Sequence, residues 1–368
     1  MTEKQGKAAA NSQDKVKSYS LYNSRDSHIM DKNNFDGVRM VLALIVVFAH
    51  LAALTQVSDF EYFEVIFDSN FAVKGFFAIS GFLVTKSYLS SHNTLEYAEK
   101  RFRRIYPAYA AAIALCLFIG LIATTLNASD FLKSPQTLKY ALANLTFLNF
   151  IQPTLPLVFE TNPAQAINGA LWTIKVEVML YFCIPALIYF FKRLGSNTTT
   201  LAVFFLSVAW VYFFTFQYIG SKGEEIARQF PGQLSYFALG AFFAVNEKML
   251  RNIRMIALVS LTVLFITNNP LAKLVIDPIA YSSIVICLST SASKSLNLEK
   301  YGDISYGIYF YHFPIIQLLI FEGAFEASVW IGFSATFVIT LITALASWHF
   351  IEKKLLKRTS HYVVATES

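Results

Sequence analysis

Charged residues are scarce in this sequence of 368 residues. Asp, Glu, Lys and Arg make up 15% of the chain, whereas soluble globular proteins have about 25%. Hydrophobic residues account for 55% of the chain, and the mean hydropathy is +0.48. This composition excludes an ordinary soluble domain and indicates an integral membrane protein.

Cysteine is also rare, and its placement excludes two further classes of protein. Cys116, Cys183 and Cys287 each lie within an apolar run, without the spacing of a disulfide framework or a metal site. We therefore predict no metal site and no permanently bound cofactor. The net charge of +6 comes from short basic clusters between apolar segments. That pattern is typical of cytoplasmic loops in membrane proteins and argues against nucleic-acid binding.

The first 34 residues lack the apolar core of a signal peptide. We expect 1–34 to be a disordered cytoplasmic tail. A transmembrane domain is predicted over 35–355, followed by a second cytoplasmic tail at 356–368.

The rest of the chain alternates between apolar stretches and short polar connections. Spanning a bilayer takes about 20 apolar residues in a helix, so the predicted fold is an all-α polytopic bundle. The weakest stretch is 138–152, because it contains Asn144 and Asn149 and is followed by Pro153. The eleven stretches are 38–57, 71–90, 106–126, 138–152, 171–191, 199–218, 229–246, 254–268, 271–291, 304–322 and 329–350.

The charges of the connections favour ten crossings. If 138–152 does not cross, most Lys and Arg clusters fall on the side that holds both termini, and the acidic loop 59–68 falls on the opposite side. If 138–152 crosses, every later basic cluster lies on the opposite side of the membrane. The positive-inside rule therefore predicts about ten transmembrane helices with N and C termini in the cytoplasm. The stretch 138–152 becomes a re-entrant or surface segment.

Ionisable residues inside these stretches are candidates for function, because burying them in hydrocarbon is costly. Arg39 and His50 lie in the first stretch, eleven residues or about 16 Å apart in a helix. The predicted topology places Arg39 at the cytoplasmic interface and His50 past the midplane. Glu177 enters from the other side and is predicted to reach a similar depth. A His–carboxylate pair is a general-base arrangement, but a structural pair or a proton relay in a transporter remains an alternative.

The segment Lys100–Pro107 (KRFRRIYP) follows the second predicted span. Its basic residues are typical topology anchors. Arg101 and Arg104 are also suited to binding a phosphate-rich ligand, because guanidinium groups bind phosphate bidentately. The two interpretations are compatible.

The segment Gly75–Val84 (GFFAISGFLV) is typical of close helix packing, with Ser80 between two glycines. The neighbouring Lys74 either snorkels to the interface or lines a cavity.

Another polar-aromatic segment is Tyr301–Pro314. Tyr306 fits an aromatic belt, whereas His312 is either a ligand or one side of a helix–helix hydrogen bond. Asp36 is predicted to pair with Arg39 or with the start of the first helix.

Five segments resemble the motifs of the membrane-bound acyltransferase 3 family in the family's order. FDGVRMVLALIVVFAH (35–50) resembles "LDGLRG…H", GFFAISGFLV (75–84) resembles "FFVLSGFLI", and RFRR (101–104) fits R-x-x-R. ALWTIKVEVMLYFCIP (170–185) resembles "LWSLSVEEQFYLIWP", and ISYGIYFYHFP (304–314) resembles "ISYSLYLWHWP". Each motif is weak alone, but the ordered set across about 280 residues is specific.

The resemblance implies a stand-alone glycan O-acyltransferase, most often an O-acetyltransferase, of the bacterial cytoplasmic (inner) membrane. The donor would be cytoplasmic acyl-CoA, and the acceptor a hydroxyl of a carbohydrate such as an O-antigen, exopolysaccharide or capsule unit. By position, His50 is the catalytic histidine, with Arg39 as its motif partner and Glu177 as the motif glutamate. Arg101 and Arg104 match the motif near the donor, and Arg39 is a further candidate donor contact.

Some residues remain for contact with the acceptor or for lining a pore. These candidates are Ser80, Lys74, Trp172, Tyr306 and His312. Two departures from the family pattern also bear on acceptor choice. Val178 stands where the family often has a second acidic residue, and Lys175 adds a charge that the common pattern lacks.

These observations together give a mechanistic hypothesis. The phosphates of acyl-CoA bind the arginines, the thioester reaches His50, and His50, oriented by Glu177, acts as general base on a sugar hydroxyl. An acyl-histidine intermediate is the less favoured variant. The alternative function is a secondary transporter or flippase for a glycan precursor. Internal repeats typical of transporters are not evident in the sequence, which counts against that alternative.

Overall fold

A computed structural model describes residues 33–290 and 303–356. Within these two ranges all regular secondary structure is helical, so the predicted all-α fold is confirmed. Almost all of the two predicted tails lies outside the described residues.

A helix forms at each of the ten stretches that were predicted to cross the membrane. They are α1 (Phe35–Thr55), α2 (Ser69–Leu89), α3 (Thr94–Ala123), α4 (Trp172–Leu194), α5 (Ser196–Tyr212), α6 (Phe230–Val245), α7 (Ile253–Ile266), α8 (Pro270–Thr290), α9 (Ser305–Phe321) and α10 (Val329–Ser347).

Fewer than ten of these helices are long and apolar enough to count as membrane spans. Six described helices are long and apolar enough to cross, and there are seven if the bent pair Ser58–Ile66 and Ser69–Leu89 is one span. Helices α7 and α9 are apolar but shorter. The protein is therefore a multi-pass membrane protein, while the number of ten crossings stays a prediction.

The weak stretch forms a short helix, Pro135–Leu145, and a 3-10 turn, Asn149–Ile151. The Ser134 side chain caps the helix, and proline occupies its first position, where no backbone donor is needed. Its eleven residues span about 16 Å, about half of the hydrocarbon thickness. Tyr109 of α3 donates to the carbonyl of Asn144 at 2.7 Å, which fixes the segment against the bundle. The segment is too short to cross alone, in agreement with the prediction.

Shorter elements complete the connections. They are the helices Glu61–Ile66, Ala128–Lys133, Gly223–Ala227, Glu247–Arg251, Ala324–Ala327 and Lys353–Leu355, the 3-10 turns Ser58–Phe60 and Gly169–Leu171, and the π-helical segments Phe213–Gln217 and Trp348–Glu352.

Two packing features position the site. Helices α1 and α9 run side by side in the same direction, because their starts and their later halves meet in the same order. Helices α2 and α6 cross at a glycine on each side. A Cβ atom at Gly81 would collide with the carbonyl oxygen of Phe237, and one at Gly240 would collide with that of Ala78. The predicted close approach at Gly81 is confirmed.

Candidate active site

A buried group of charges joins α1 and α3 to Asp303, two residues before α9. Arg39 and Arg104 both donate to Oδ2 of Asp303, and Ser305 donates to Oδ1 at 2.5 Å. Asp303 is 2% exposed, so both guanidinium groups are held in the interior. Arg39 also lies 3.7 Å from Asp36, which confirms the predicted pairing. Asp303 was missed in the sequence, although it lies inside the polar-aromatic segment at the start of α9.

Tyr306 connects the arginines to the carboxylate of Glu177. Its ring centroid lies 4.6 Å from the guanidinium carbon of Arg39 and 5.0 Å from that of Arg104, which is cation–π distance. Its hydroxyl donates to Oε1 of Glu177 at 3.0 Å. Tyr306 is therefore part of the buried polar network, whereas the sequence offered an interfacial belt or a place in the acceptor site or pore.

Glu177 is held by three hydroxyl groups that converge on one oxygen. Besides Tyr306, Ser80 donates to Oε1 at 2.7 Å and Tyr181 at 2.6 Å. Hydrogen bonds to an ionised carboxylate are stronger than those between neutral groups. This arrangement fixes the Glu177 side chain and links α2, α4 and α9 at one level.

A pair of histidines lies further along α9. His50 Nδ1 of α1 is 2.7 Å from His312 Nε2 of α9, and the two rings are stacked with centroids 5.0 Å apart. His312 is fully buried, and its Nδ1 lies 3.0 Å from the carbonyl oxygen of Ile308. His312 thus forms the helix–helix hydrogen bond that the sequence left as one alternative.

These contacts fix the tautomers of both neutral rings. A carbonyl oxygen only accepts, so the proton of His312 is on Nδ1 and its Nε2 carries a lone pair. That nitrogen accepts from Nδ1–H of His50. The lone pair of His50 is then on Nε2, the form in which an imidazole accepts a proton from a substrate.

The predicted contact between His50 and Glu177 is wrong. Glu177 bonds to Tyr306 and His50 bonds to His312, and these two partners are six residues apart on α9. Six helical residues correspond to about 9 Å. The sequence-based depth estimate failed because it assumed that α1 and α4 begin at opposite membrane surfaces without a vertical offset.

Tyr309 lies between the two levels of the site. Its hydroxyl shares a hydrogen bond of 2.7 Å with Thr173, and its ring centroid is 6.0 Å from that of His312. A narrow cavity reaches this tyrosine. The cavity is lined by Val73, Phe76, Phe77, Thr173, Ile174, Glu177, Ser305, Tyr306 and Tyr309.

Arg101 is one turn from Arg104 on α3 but has different contacts. It donates from Nη2 to the hydroxyl of Ser87 at 3.2 Å and is half-buried. Its Nε is buried without a hydrogen-bond partner in the described part of the chain. The two arginines of the basic motif therefore have different partners. Arg104 binds Asp303, and Arg101 binds Ser87 of α2.

Trp172 and Lys175, at the start of α4, contact the loop before α6. The guanidinium carbon of Arg228 lies 4.8 Å from the Trp172 ring centroid. Lys175 donates to the side chain of Gln229 at 2.7 Å and lies 4.7 Å from the ring of Phe150. These two candidates form a cationic and aromatic surface next to Thr173 of the cavity wall.

Comparison with known proteins gives the class of this molecule. Residues 32–349 match the family model described as an acyltransferase domain, that of the acyltransferase 3 family. The chain belongs to this family and is a membrane acyltransferase.

Two similar proteins extend over nearly the whole chain. One is an "O-acetyl transferase" of Shigella phage Sf6, 28% identical over 352 residues, which cover 90% of this chain and 98% of the relative. The other is "Nodulation protein 10" of Rhizobium leguminosarum bv. viciae, 28% identical over 380 residues, which cover 89% of this chain and 95% of the relative. No solved structure matches the chain.

Proposed function

We propose that this protein transfers an acyl group, most simply acetyl, from acyl-CoA to a hydroxyl of a cell-surface or lipid-linked carbohydrate. The observation that carries the proposal is the His50–His312 pair in a chain of the acyltransferase 3 family. The name of the phage relative supports acetyl as the group transferred and oxygen as the acceptor atom. The family assignment also favours an enzyme over the transporter or flippase alternative.

His50 acts as general base in this mechanism. Its Nε2 takes the proton of a sugar hydroxyl while the sugar oxygen attacks the thioester carbonyl carbon. The carbon–sulfur bond then breaks, and the CoA thiolate leaves with the proton that His50 had taken. His312 keeps His50 in the required tautomer by accepting its Nδ1 proton. No acyl-histidine is needed, because the sugar hydroxyl that His50 deprotonates attacks the thioester directly.

The buried arginines supply the donor side of the site. Acyl-CoA carries phosphates. Arg39 lies near the start of α1, eleven residues before His50, and Arg104 of α3 shares Asp303 with Arg39, with Arg101 one turn earlier on α3. Asp303 neutralises part of the charge of Arg39 and Arg104. Arg101, which bonds to the neutral hydroxyl of Ser87, is therefore the strongest single candidate for phosphate binding.

Glu177 and its three hydroxyl partners have a positioning role between the arginines of the donor side and the histidine pair. They fix one wall of the cavity through which the thioester would pass toward Tyr309 and His312. The tightly packed bundle excludes water, which protects the thioester from hydrolysis. In this proposal the enzyme lies in the bacterial inner membrane, with the donor site and both termini on the cytoplasmic side.

The test uses purified protein in detergent and in cells. Wild-type protein is incubated with acetyl-CoA labelled in the acetyl group and with unacetylated polysaccharide from cells that lack this gene. Transfer of label to the polysaccharide, its loss in His50→Ala, and NMR of the cell's polysaccharide with and without the gene test the proposal. Full transfer by His50→Ala, or no acylation difference in the cell polysaccharide, contradicts it.

A further inference from the structure

A second polar cluster lies beside α2 and is formed by residues outside the cavity lining. Val73, Phe76 and Phe77 of α2 line the cavity, whereas Lys74 faces α6 and α8. The Lys74 ammonium is 5.5 Å from the ring centroid of Tyr236 and 5.7 Å from that of Tyr281. The Lys74 side chain is half-buried, and its ammonium lies between residues of α6 and α8.

Two carboxylates face this ammonium without touching it. Lys74 interacts electrostatically with Asp277 of α8 and Asp68 before α2. Among the described residues, neither carboxylate forms an ion pair with Lys74 within 4.0 Å, and Oδ1 of Asp277 is buried without a hydrogen-bond partner. Folded proteins rarely leave buried polar atoms unsatisfied, because the cost is high. The ammonium of Lys74 and the unsatisfied oxygen of Asp277 therefore suit a ligand that both accepts and donates hydrogen bonds.

The cluster lies toward the same end of the bundle as the histidines. Asn34, just before α1, donates its backbone N–H to the carbonyl of Ser289 near the end of α8, so α1 and α8 run in opposite directions. The first half of α8, with Asp277, thus lies beside the second half of α1, with His50. The ring of Phe48 also stacks at 4.5 Å on Phe67, the neighbour of Asp68.

The balance of charges indicates which kind of ligand fits. Lys74 and Lys273 carry two positive charges, and Asp277 and Asp68 carry two negative ones. Asp277 interacts electrostatically with the other three groups, and Lys74 also interacts with Asp68. A site without excess charge does not select an anion. A carboxylate and an ammonium bind hydroxyl groups strongly, and a tyrosine ring packs against an apolar face. These groups together match a neutral sugar ring.

We propose that Lys74, Asp277, Tyr236 and Tyr281 form a subsite for a neutral sugar of the acceptor. This sugar is next to the one that is acylated. The proposal rests on the proposed function, since it assigns a second point of contact for the same carbohydrate. Asp277 Oδ1 accepts from one sugar hydroxyl, Lys74 donates to another, and the tyrosine rings cover the apolar face. The acceptor is then recognised as an oligosaccharide of at least two residues.

Binding is measured first, without turnover. The probe is the unacetylated repeat-unit oligosaccharide of the cell's surface polysaccharide, prepared from cells that lack this gene. Its dissociation constant for full-length protein in nanodiscs is determined by saturation-transfer NMR in a His50→Ala background. Lys74→Met and Asp277→Asn are each expected to weaken binding about tenfold or more, since each removes a hydrogen bond to a charged group. Tyr281→Leu provides a variant that leaves no charge unpaired.

Matched controls make the same chemical changes at exposed positions. Lys139→Met and Asp59→Asn are expected to bind the oligosaccharide as the parent protein does. In the active enzyme, Lys74→Met and Asp277→Asn should raise the KM for the acceptor and leave the KM for acetyl-CoA unchanged.

The opposing outcomes separate the subsite from the proposed function. Unchanged oligosaccharide binding in Asp277→Asn and Tyr281→Leu overturns the subsite. Wild-type affinity in the exchanged variant Lys74→Asp with Asp277→Lys also overturns it, because that result indicates a merely structural charge pair. If the oligosaccharide binds and the variants weaken it but no acyl transfer occurs, the proposed function fails and the subsite stands. If transfer occurs and the variants change nothing, the subsite alone fails.

Discussion

His50 and His312 face each other at 2.7 Å from two helices that run in the same direction. Arg39 of α1 and Asp303, just before α9, meet eleven and nine residues earlier. Nine to eleven helical residues span about 14–16 Å. The α1–α9 pair therefore holds a basic group and an imidazole pair at a fixed separation, with Tyr306 and Tyr309 between them.

Replacing His50 removes the proposed general base. His50→Ala is expected to lower kcat for acyl transfer by at least about 100-fold, the lower range for general-base catalysis. Binding of acetyl-CoA should change little, because the arginines are untouched. Initial rates with labelled acetyl-CoA and equilibrium binding to the same preparation measure both quantities. A kcat near that of wild type removes His50 from the mechanism.

His312 is expected to act through His50 as a positioning residue. His312→Ala removes the acceptor for the His50 Nδ1 proton and should lower kcat less than His50→Ala does. His312→Gln offers an amide oxygen to the same proton and should recover part of the rate. The pH dependence of kcat/KM should differ between the two variants, because the tautomer of His50 is fixed in only one. Equal rates and equal pH profiles would mean that His312 serves packing alone.

The Asp303 carboxylate is expected to be essential for stability. Asp303→Asn leaves Arg39 and Arg104 buried beside each other without their shared counter-ion. Removing one partner of a buried ion pair costs about 3–5 kcal/mol. A large drop in the thermal midpoint of the purified protein is therefore predicted. Glu99→Gln, which removes one charge of the exposed pair between Glu99 and Arg103, is the control and should leave the midpoint nearly unchanged.

The sequence predicted the fold well because membrane helices carry strong local signals. Apolar runs located all ten helices α1 to α10, and the charges of the connections argued against a full span at 138–152, where the structure has a short helix. The close approach at Gly81 followed from the small residues around it. Such features depend on hydropathy, length and side-chain size, which are readable along the chain.

The partners of the ionisable residues were harder to predict. Glu177 and His50 are each buried candidates, but which groups they meet depends on the vertical offset and rotation of α1, α4 and α9. These offsets arise from packing among distant segments and leave no periodic signal in one sequence. Asp303 was missed for the same reason: its two arginine partners lie on α1 and α3, 264 and 199 residues away.

Glu177 gives a direct test of the corrected geometry. Glu177→Gln keeps the size of the side chain but weakens its bonds with Ser80, Tyr181 and Tyr306. We expect kcat to fall about tenfold through a less ordered cavity wall. The midpoint of the pH profile of kcat/KM should stay in place, because Glu177 does not touch the histidines. A shifted midpoint would restore a direct electrostatic role for Glu177 on His50. Tyr306→Phe removes one of the three bonds and should give a smaller change in kcat.

Substitution of Arg101 distinguishes a role in phosphate binding from a role as a topology anchor. Arg101→Ala should raise the KM for acetyl-CoA several-fold to tenfold with little change in kcat, because within residues 33–290 and 303–356 no carboxylate forms an ion pair with its guanidinium. Arg103→Ala, on the same helix but paired with exposed Glu99, is the matched control and should leave the KM for acetyl-CoA unchanged. Reporter fusions at the C terminus check that both variants keep the wild-type orientation. An altered orientation with an unchanged KM in Arg101→Ala identifies this arginine as a topology anchor. Desulfo-CoA inhibitors that lack the ribose 3′-phosphate refine the test, since their affinity should depend less on Arg101 if that phosphate is its partner.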